Sequence, residues 1–257
     1  MRNTGEMLTT AIFVIQRVWL LDRPLPTERL PAAFVITILF GIFGYLSRGV
    51  NKSGAVAGTL VAFLLYFAAG PPAFLTLLGV FILTWITTRI GYLRKAGMGL
   101  AENRRGRNAK QVLANVGAAA AFAILGIIAP VLRIAAAASL VEAAADTASS
   151  ECGQAVGRRA YLITSGHRVD IGTDGGISVP GTVAGLVAAF MIAALAASVA
   201  WIGKSDVTVI AIAGFLGTVF DSLLGATVQR RGLISNNGVN FASTVVAALL
   251  AILFHRA

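Results

Sequence analysis

Residues 141–182 read VEAAADTASSECGQAVGRRAYLITSGHRVDIGTDGGISVPGT. The stretch leaves an apolar run and carries Glu142, Asp146 and Glu151 as it goes. It then crosses a basic, glycine-rich loop and enters a second apolar run at Thr182. A charge at bilayer depth costs about 2.5–3.5 kcal/mol even on the lower scales, so such residues face a bundle interior and are functional by default. Acids in apolar sequence, next to a glycine-rich loop, therefore decide the fold class and point to the chemistry.

The rest of the chain supports a membrane reading. Of 257 residues, 57% are hydrophobic and only 12% are charged, where a soluble domain would be about a quarter charged. Mean hydropathy is +0.81. The apolar residues gather into continuous runs rich in Ala, Gly, Ser and Thr, which allow close approach of transmembrane helices. Continuous rather than alternating runs argue against a β-barrel. The expected fold is all-α: a polytopic transmembrane helical bundle of 8–9 spans, some short or re-entrant, forming a single integral membrane domain over residues 1–257.

A span needs roughly 20 apolar residues. The expected spans are 31–46, 53–69, 73–92, 112–129, 131–150, 182–202, 207–229 and 238–254. Residues 8–21 are a marginal further segment, either a short span or an interfacial helix within a peripheral N-terminal stretch, 1–30. They make no clean signal peptide, because Gln16 and Arg17 interrupt them and no small-residue cleavage site follows. The loops 93–110 and 153–181 hold most of the basic residues, and alternation puts Arg48, Lys52, Arg230 and Arg231 on the same side. The positive-inside rule makes that side cytoplasmic, in a cell (inner) membrane. The net charge of +10 is thus read as loop asymmetry in contact with a bilayer, with no nucleic acid as partner. Oligomeric state is left open, with a homo-oligomer compatible. Cys152 is the sole cysteine, so no intrachain disulfide forms. It is read as packing, since no histidine stands near to activate it. His167 and His255 are the only histidines, which argues against zinc.

Three constellations carry chemistry. In the first, Glu142 and Asp146 share a helix face and Glu151 follows five residues after Asp146. An oxygen-rich set without paired histidines suits Mg²⁺, which recruits phosphate oxygens; the alternative is that these acids pair with arginines to hold the bundle. Beyond them, Gly172, Thr173, Gly175, Gly176, Ser178, Gly181 and Thr182 form a loop whose backbone N–H groups and hydroxyls suit an anion. A helix starting near Thr182 would add its N-terminal dipole. Arg158 and Arg159 are candidate phosphate partners. No Gly-Lys-Ser/Thr ending follows, so this is not a Walker A loop, and a simple turn is the plain alternative. The second constellation is Asp221 and Ser222 with Gly214, Gly217, Gly225, Ala226 and Gln229, a packing helix that carries one acid at depth. In the third, Asn108, Gln111 and Asn115 lie on one helix face behind Arg107 and near Lys110, either to bind substrate or to bond between helices. Asn236, Asn237 and Asn240 open the last span on the same side.

At these motifs the chain resembles a family of integral membrane proteins that includes the plant phytyl-phosphate kinase of the vitamin E pathway. The resemblance runs from about residue 53 to the end. It rests on Arg107-Asn108 with Gln111–Asn115, on ADTASSECG at 145–153, on GTDGGIS at 172–178 with Gly181-Thr182, on DSLLGATVQ at 221–229 and on NNGVN at 236–240. Residues 146–153 and the glycine-rich follow-on also look like the nucleotide site of the dolichol kinase, phytol kinase and phosphatidate cytidylyltransferase group. The resemblance implies phosphoryl transfer from CTP or another nucleoside triphosphate, with Mg²⁺, to an isoprenyl monophosphate, giving the diphosphate at the cytoplasmic face. On that reading Asp146, Glu151 and Asp221 act in catalysis and, with Glu142, hold metal. Arg158, Arg159 and the Gly172–Thr182 loop cradle phosphates. Arg107, Asn108, Lys110, Gln111, Asn115, Gln229 and Asn240 meet the lipid substrate, with its tail between spans such as 112–129 and 238–254. The competing readings are a CTP-dependent lipid cytidylyltransferase and a non-enzymatic transporter or lipid scramblase.

Overall fold

A computed structural model describes residues 26–255; the expected segment 8–21 lies outside the described residues. A short 3₁₀ turn, Thr27–Arg29, leads into nine helices. They are α1 (Leu30–Leu46), α2 (Lys52–Ala69), α3 (Pro71–Arg89), the short α4 (Tyr92–Gly97), α5 (Ala109–Ile128), α6 (Leu132–Val156), α7 (Val179–Ser198), α8 (Val207–Leu224) and α9 (Asn236–His255). A π turn, Gly225–Gln229, extends α8. Seven of the nine are long and apolar enough to cross a membrane. The protein is a polytopic helical membrane protein, as composition alone implied.

Local chemistry sets the helix ends. The Asn51 side chain accepts from Gly54 N–H and starts α2. Asn108 and Gln111 form a reciprocal capping box on α5, which satisfies two N–H groups that a helix start leaves orphaned. Gly70, at φ +80°, turns the chain from α2 into α3, where Pro71 and Pro72 occupy the first turn. Prolines are tolerated there because the missing N–H would have had no partner. Helix α7 begins at Val179 rather than near Thr182, because Ser178 accepts from Gly181 N–H and Pro180 fits the first turn.

Helix α6 is the exception to the membrane pattern and the centre of the structure. Its acids keep it outside the set of seven apolar spans, yet it packs against α3, α5, α7, α8 and α9. Ordinarily a helix buries one stripe. Here every residue from Ala135 to Ala145 is buried. Such enclosure needs a thin helix, and alanines at 135–138 and 143–145 provide it. The neighbours are thinned to match. A Cβ on Gly214 or Gly217 of α8 would come within 2.5 Å of Val141 Cγ1 or 2.6 Å of Glu142 Cγ. On α7, a Cβ on Gly181 would stand 2.6 Å from the Ser149 carbonyl oxygen, and one on Gly185 would stand 3.1 Å from that of Ala145.

The expected loops hold more structure than their composition suggested. The 93–110 region contains α4. The 153–181 region carries a small antiparallel sheet of β1 (Ala160–Leu162), β2 (Arg168–Val169) and β3 (Gly176–Ile177), in the order β2-β1-β3. Ala160 faces Val169, and Leu162 faces Gly176. Strands of two or three residues are too short to show the alternation by which strands are read from sequence. Chain alternation still gathers Arg48, Lys52, both of these regions and Arg230/Arg231 at one end of the bundle, leaving Arg29, Arg133 and Lys204 at the other.

The close α6–α7 crossing gives a test. Gly181→Ala should destabilise the protein by about 1–3 kcal/mol, since its new methyl meets backbone that cannot give way. Gly58→Ala, whose methyl meets nothing within 4 Å, should be neutral or stabilising. Thermal midpoints in detergent measure both.

Candidate active site

At the basic end lies a polar cavity of about 330 Å³. Four helices, the loop before α7 and the segment before α5 wall it, each contributing polar groups that apolar sequence would otherwise not carry. From α6 come Asp146, Thr147, Ser149 and Ser150; from the end of α8 come Asp221 and Ser222, then Gly225 and Gln229 of the π turn. Helix α5 supplies Gln111 and Asn115, α9 supplies Asn236, Asn237 and Asn240, and the loop supplies every residue from Ile171 to Ser178. Single-turn π segments inside α-helices recur at functional sites.

The wall is held by bonds between helices. Asn240 Nδ2 donates to Asn115 Oδ1 (3.3 Å), joining α9 to α5, and Asn115 Nδ2 donates to the Gln111 carbonyl (2.8 Å). Ser243 Oγ of α9 donates to Asp221 Oδ2 of α8 (3.3 Å). Asn115 thus both lines the cavity and bonds between helices.

Arg107 is fixed through its backbone. Its N–H donates to the Gly49 carbonyl (3.1 Å), and its own carbonyl accepts from Asn51 N–H (3.0 Å). Gly54 makes room for this: a Cβ there would stand 2.1 Å from the Arg107 carbonyl oxygen. The guanidinium lies 3.7 Å from Glu102 Oε2 through Nε and reaches Thr147 Oγ1 at 3.4 Å. Glu102 also accepts from Gln111 Nε2 (3.2 Å). A lone acid inside a strongly basic loop is the sequence signal for Glu102.

Two of the loop's glycines serve packing. Gly172 (φ +88°) would place a Cβ 2.5 Å from Leu100 Cδ1. Gly175 (φ +73°) would place one 2.3 Å from the backbone nitrogen of Ala226 in the π turn. Positive φ disfavours a side chain at both positions, and at Gly175 the clash is with backbone. The loop is therefore seated on the end of α8 and is not a free turn. Asp174 brings a further carboxylate to the cavity wall.

Several expected site residues are not brought to the cavity. Arg158, Arg159, Lys110 and Thr182 are exposed and outside its lining. Gly181 is buried in the α6–α7 contact, and Asn108 caps α5. The four expected metal ligands do not form one group either. Glu142 sits a turn deeper, 1% exposed and outside the lining, with no hydrogen-bond partner for Oε1 among the described residues. Glu151 reaches the lining, but its carboxylate pairs with Lys95. Among the described residues, no cluster of three or more His, Cys, Asp or Glu side chains is arranged to hold a metal unaided. Asp146 and Asp221 remain as two carboxylates on one polar cavity, which matches the way Mg²⁺ is held by one or two carboxylates plus substrate phosphates.

Lys95 lies in the basic 93–110 region, yet it is fully buried. Its Nζ donates to Glu151 and to the Thr88 carbonyl (2.8 Å). Beside it, Arg94 donates to the carbonyls of Ala155 (2.9 Å) and Gly157. Cations at these last carbonyls complement the negative end of α6. Helix α4 thereby clamps the end of α6 from which Asp146 faces the cavity.

The fold and the site define a class: an integral membrane protein with a polar, carboxylate-bearing cavity inside a helix bundle. Residues 35–248 match the family described as Integral membrane protein DUF92, and the chain belongs to it. Similar proteins include the uncharacterized membrane protein MJ0933 of Methanocaldococcus jannaschii, 30% identical over 231 residues, covering 88% of this chain and 94% of that protein. Protein VTE6, chloroplastic, of Arabidopsis thaliana is 29% identical over 222 residues, 82% of this chain and 67% of that protein. The uncharacterized membrane protein sll0875 of Synechocystis is 32% identical over 196 residues, 74% of this chain and 76% of that protein. No solved structure matches the chain.

The buried pair makes a stability prediction. Lys95→Met should cost about 3–5 kcal/mol by stranding the Glu151 charge, whereas Lys95→Met with Glu151→Gln should recover a large part of that loss. Chemical unfolding in detergent measures the difference.

Proposed function

We propose that this protein is a nucleoside-triphosphate-dependent kinase of an isoprenyl monophosphate, with its site in the polar cavity and at the cytoplasmic face. The observation that carries the reading is the convergence of Asp146 and Asp221, from separate hairpins, on a cavity walled by a glycine-rich loop and an arginine. The resemblance to the family of the plant phytyl-phosphate kinase supplies the substrate class.

Phosphoryl transfer depends on positioning and charge neutralisation more than on a covalent partner. An oxygen of the lipid monophosphate attacks the terminal phosphorus of the nucleotide. The bond from that phosphorus to the bridging oxygen breaks, and the nucleoside diphosphate leaves with its electron pair. A monophosphate oxygen is already nucleophilic, so no strong base is needed, and none of the cavity's histidine-free lining offers one. Asp146 and Asp221 would hold Mg²⁺, which when bound neutralises charge on the triphosphate. The Ile171–Ser178 loop offers N–H groups to the phosphates. Arg107 meets the acceptor phosphate, and Gln111 and Asn115 orient it. Glu151 acts through Lys95 as a positioning residue that holds the end of α6. Glu142 lies below the reaction. Arg158 and Arg159 are left to guide anions toward the basic end by long-range attraction, which salt screens.

Purified protein in detergent, given Mg²⁺, labelled CTP or ATP and geranylgeranyl or phytyl monophosphate, should form the lipid diphosphate. No diphosphate with any nucleotide sinks the kinase reading, and release of pyrophosphate instead would mark a cytidylyltransferase. Asp146→Asn and Asp221→Asn should each lower turnover on the order of a hundredfold or more while leaving the thermal midpoint near that of the parent, because each removes charge stabilisation that the reaction needs.

A further inference from the structure

A second cavity, about 470 Å³, opens between α1, α2, α3 and α5. Its depth is apolar: Phe40, Val61, Leu77, Val80, Phe81 and Val116 line it. Its mouth is not. Arg48, Arg89, Arg104 and Arg107 line the basic end, with Glu102 as the only carboxylate among the lining residues. Arg89 lies over Trp85, 3.8 Å from the ring centroid, and donates to the Ser47 carbonyl (2.8 Å), so this arginine is held in place. Glu102, Arg107, Gln111 and Asn115 line both this cavity and the polar one. The two chambers therefore meet at Arg107.

From Arg89 down to Leu77 the α3 wall runs twelve residues, about 18 Å at 1.5 Å per residue and so roughly half of a ~30 Å hydrocarbon core. Helices α5 and α9, between which the sequence reading ran the tail, pack on each other and are joined by the Asn240–Asn115 bond. A ligand that fits this shape has a slender apolar chain, a single anionic head, and a head group delivered to the edge of the polar cavity.

We propose that the apolar cavity binds the hydrocarbon chain of a single-chain prenyl monophosphate, with its phosphate at the arginine mouth, and that residues at its depth measure chain length. This rests on the kinase reading above for the role of the bound lipid, but the binding can be tested without catalysis. Gly58 of α2 lines the cavity, and a Cβ there meets nothing within 4 Å. A larger side chain at 58 therefore starts from open space beside the cavity and takes up room that the lipid would use.

Equilibrium binding of geranylgeranyl monophosphate and of geranyl monophosphate, in nanodiscs without nucleotide, tests the proposal. The parent protein should prefer the longer ester. Gly58→Phe should weaken the longer ester by about a hundredfold, since each methylene denied burial costs a severalfold factor, and should shift the shorter one only a few-fold. Geranylgeraniol, lacking the phosphate, should bind more weakly than its monophosphate. Should Gly58→Phe lose both esters, Gly58→Leu is read in its place, with the shorter ester reporting that the site is folded. Equal affinity for both chain lengths in the parent and both variants overturns the proposal. So does equal displacement of the prenyl ester by bilayer phosphatidate, which would make the cavity a structural lipid site. Chain-length-dependent binding with no diphosphate after nucleotide is added would remove the kinase reading and leave the cavity assignment standing. Diphosphate formation with length-independent binding would do the reverse.

Discussion

The enclosure of α6 is the constraint on which the rest of this structure depends. A helix carrying Glu142, Asp146 and Glu151 cannot face lipid, where each unsatisfied charge costs several kcal/mol. It must be wrapped, and five helices wrap it. Wrapping is geometrically possible only if the helix is thin, which its alanines ensure, and only if its neighbours yield space, which Gly181, Gly185, Gly214 and Gly217 do. In a bilayer the association of helices is driven by packing and polar bonds rather than by exclusion of water. The small residues that admit close approach are therefore the stabilising feature, and the acids are tolerated because of them.

The site follows from where that enclosure ends. Toward the basic end α6 emerges from its ring, and its acidic face looks into a cavity closed by the end of α8, the start of α9, the start of α5 and a loop seated on the π turn. Two of its acids are committed before any ligand arrives. Glu151 is paired with Lys95, and Glu142 is buried a turn deeper. Removing either member of a buried ion pair leaves an uncompensated charge, so α4 and the end of α6 act as one piece. Asp146 and Asp221 are left to face the cavity, which separates the acids that hold the site from the acids that face its contents. Arg107, clamped by the α1–α2 corner, sits where the polar chamber meets the apolar one. One residue thus lines both chambers.

Much of this was legible in residue order. Apolar runs, their hinges at Gly70-Pro71, Pro130 and Gly203, and the asymmetry of basic residues gave the helical membrane fold and the end of the bundle where polar groups gather. The motifs around Asp146, Gly172 and Asp221 gave the cavity's main walls. What residue order leaves open shares one cause: sequence shows which residue types are present, not which partner each one meets. Lys95 looked like one more loop charge, Gly181 like a phosphate-binding glycine, Asn108 like a substrate ligand. Burial against Glu151, contact with the Ser149 carbonyl and the capping of α5 are relations between segments tens of residues apart or local geometries that composition does not specify. The small sheet was invisible because two-residue strands have no period.

The sequence by itself determined the solvent the protein folds in, its helical class, and which polar residues had to be sheltered. Hydrophobicity and charge act on each segment separately, so a linear reading suffices for them. Only the tertiary structure decided that Asp146 and Asp221 share a cavity, that Glu151 belongs to Lys95, that α5 and α9 are joined through Asn240 and Asn115, and that an apolar chamber opens at Arg107. Those outcomes depend on how closely helices approach, and that distance is set by pairs of small residues meeting across helices rather than by any one stretch of chain.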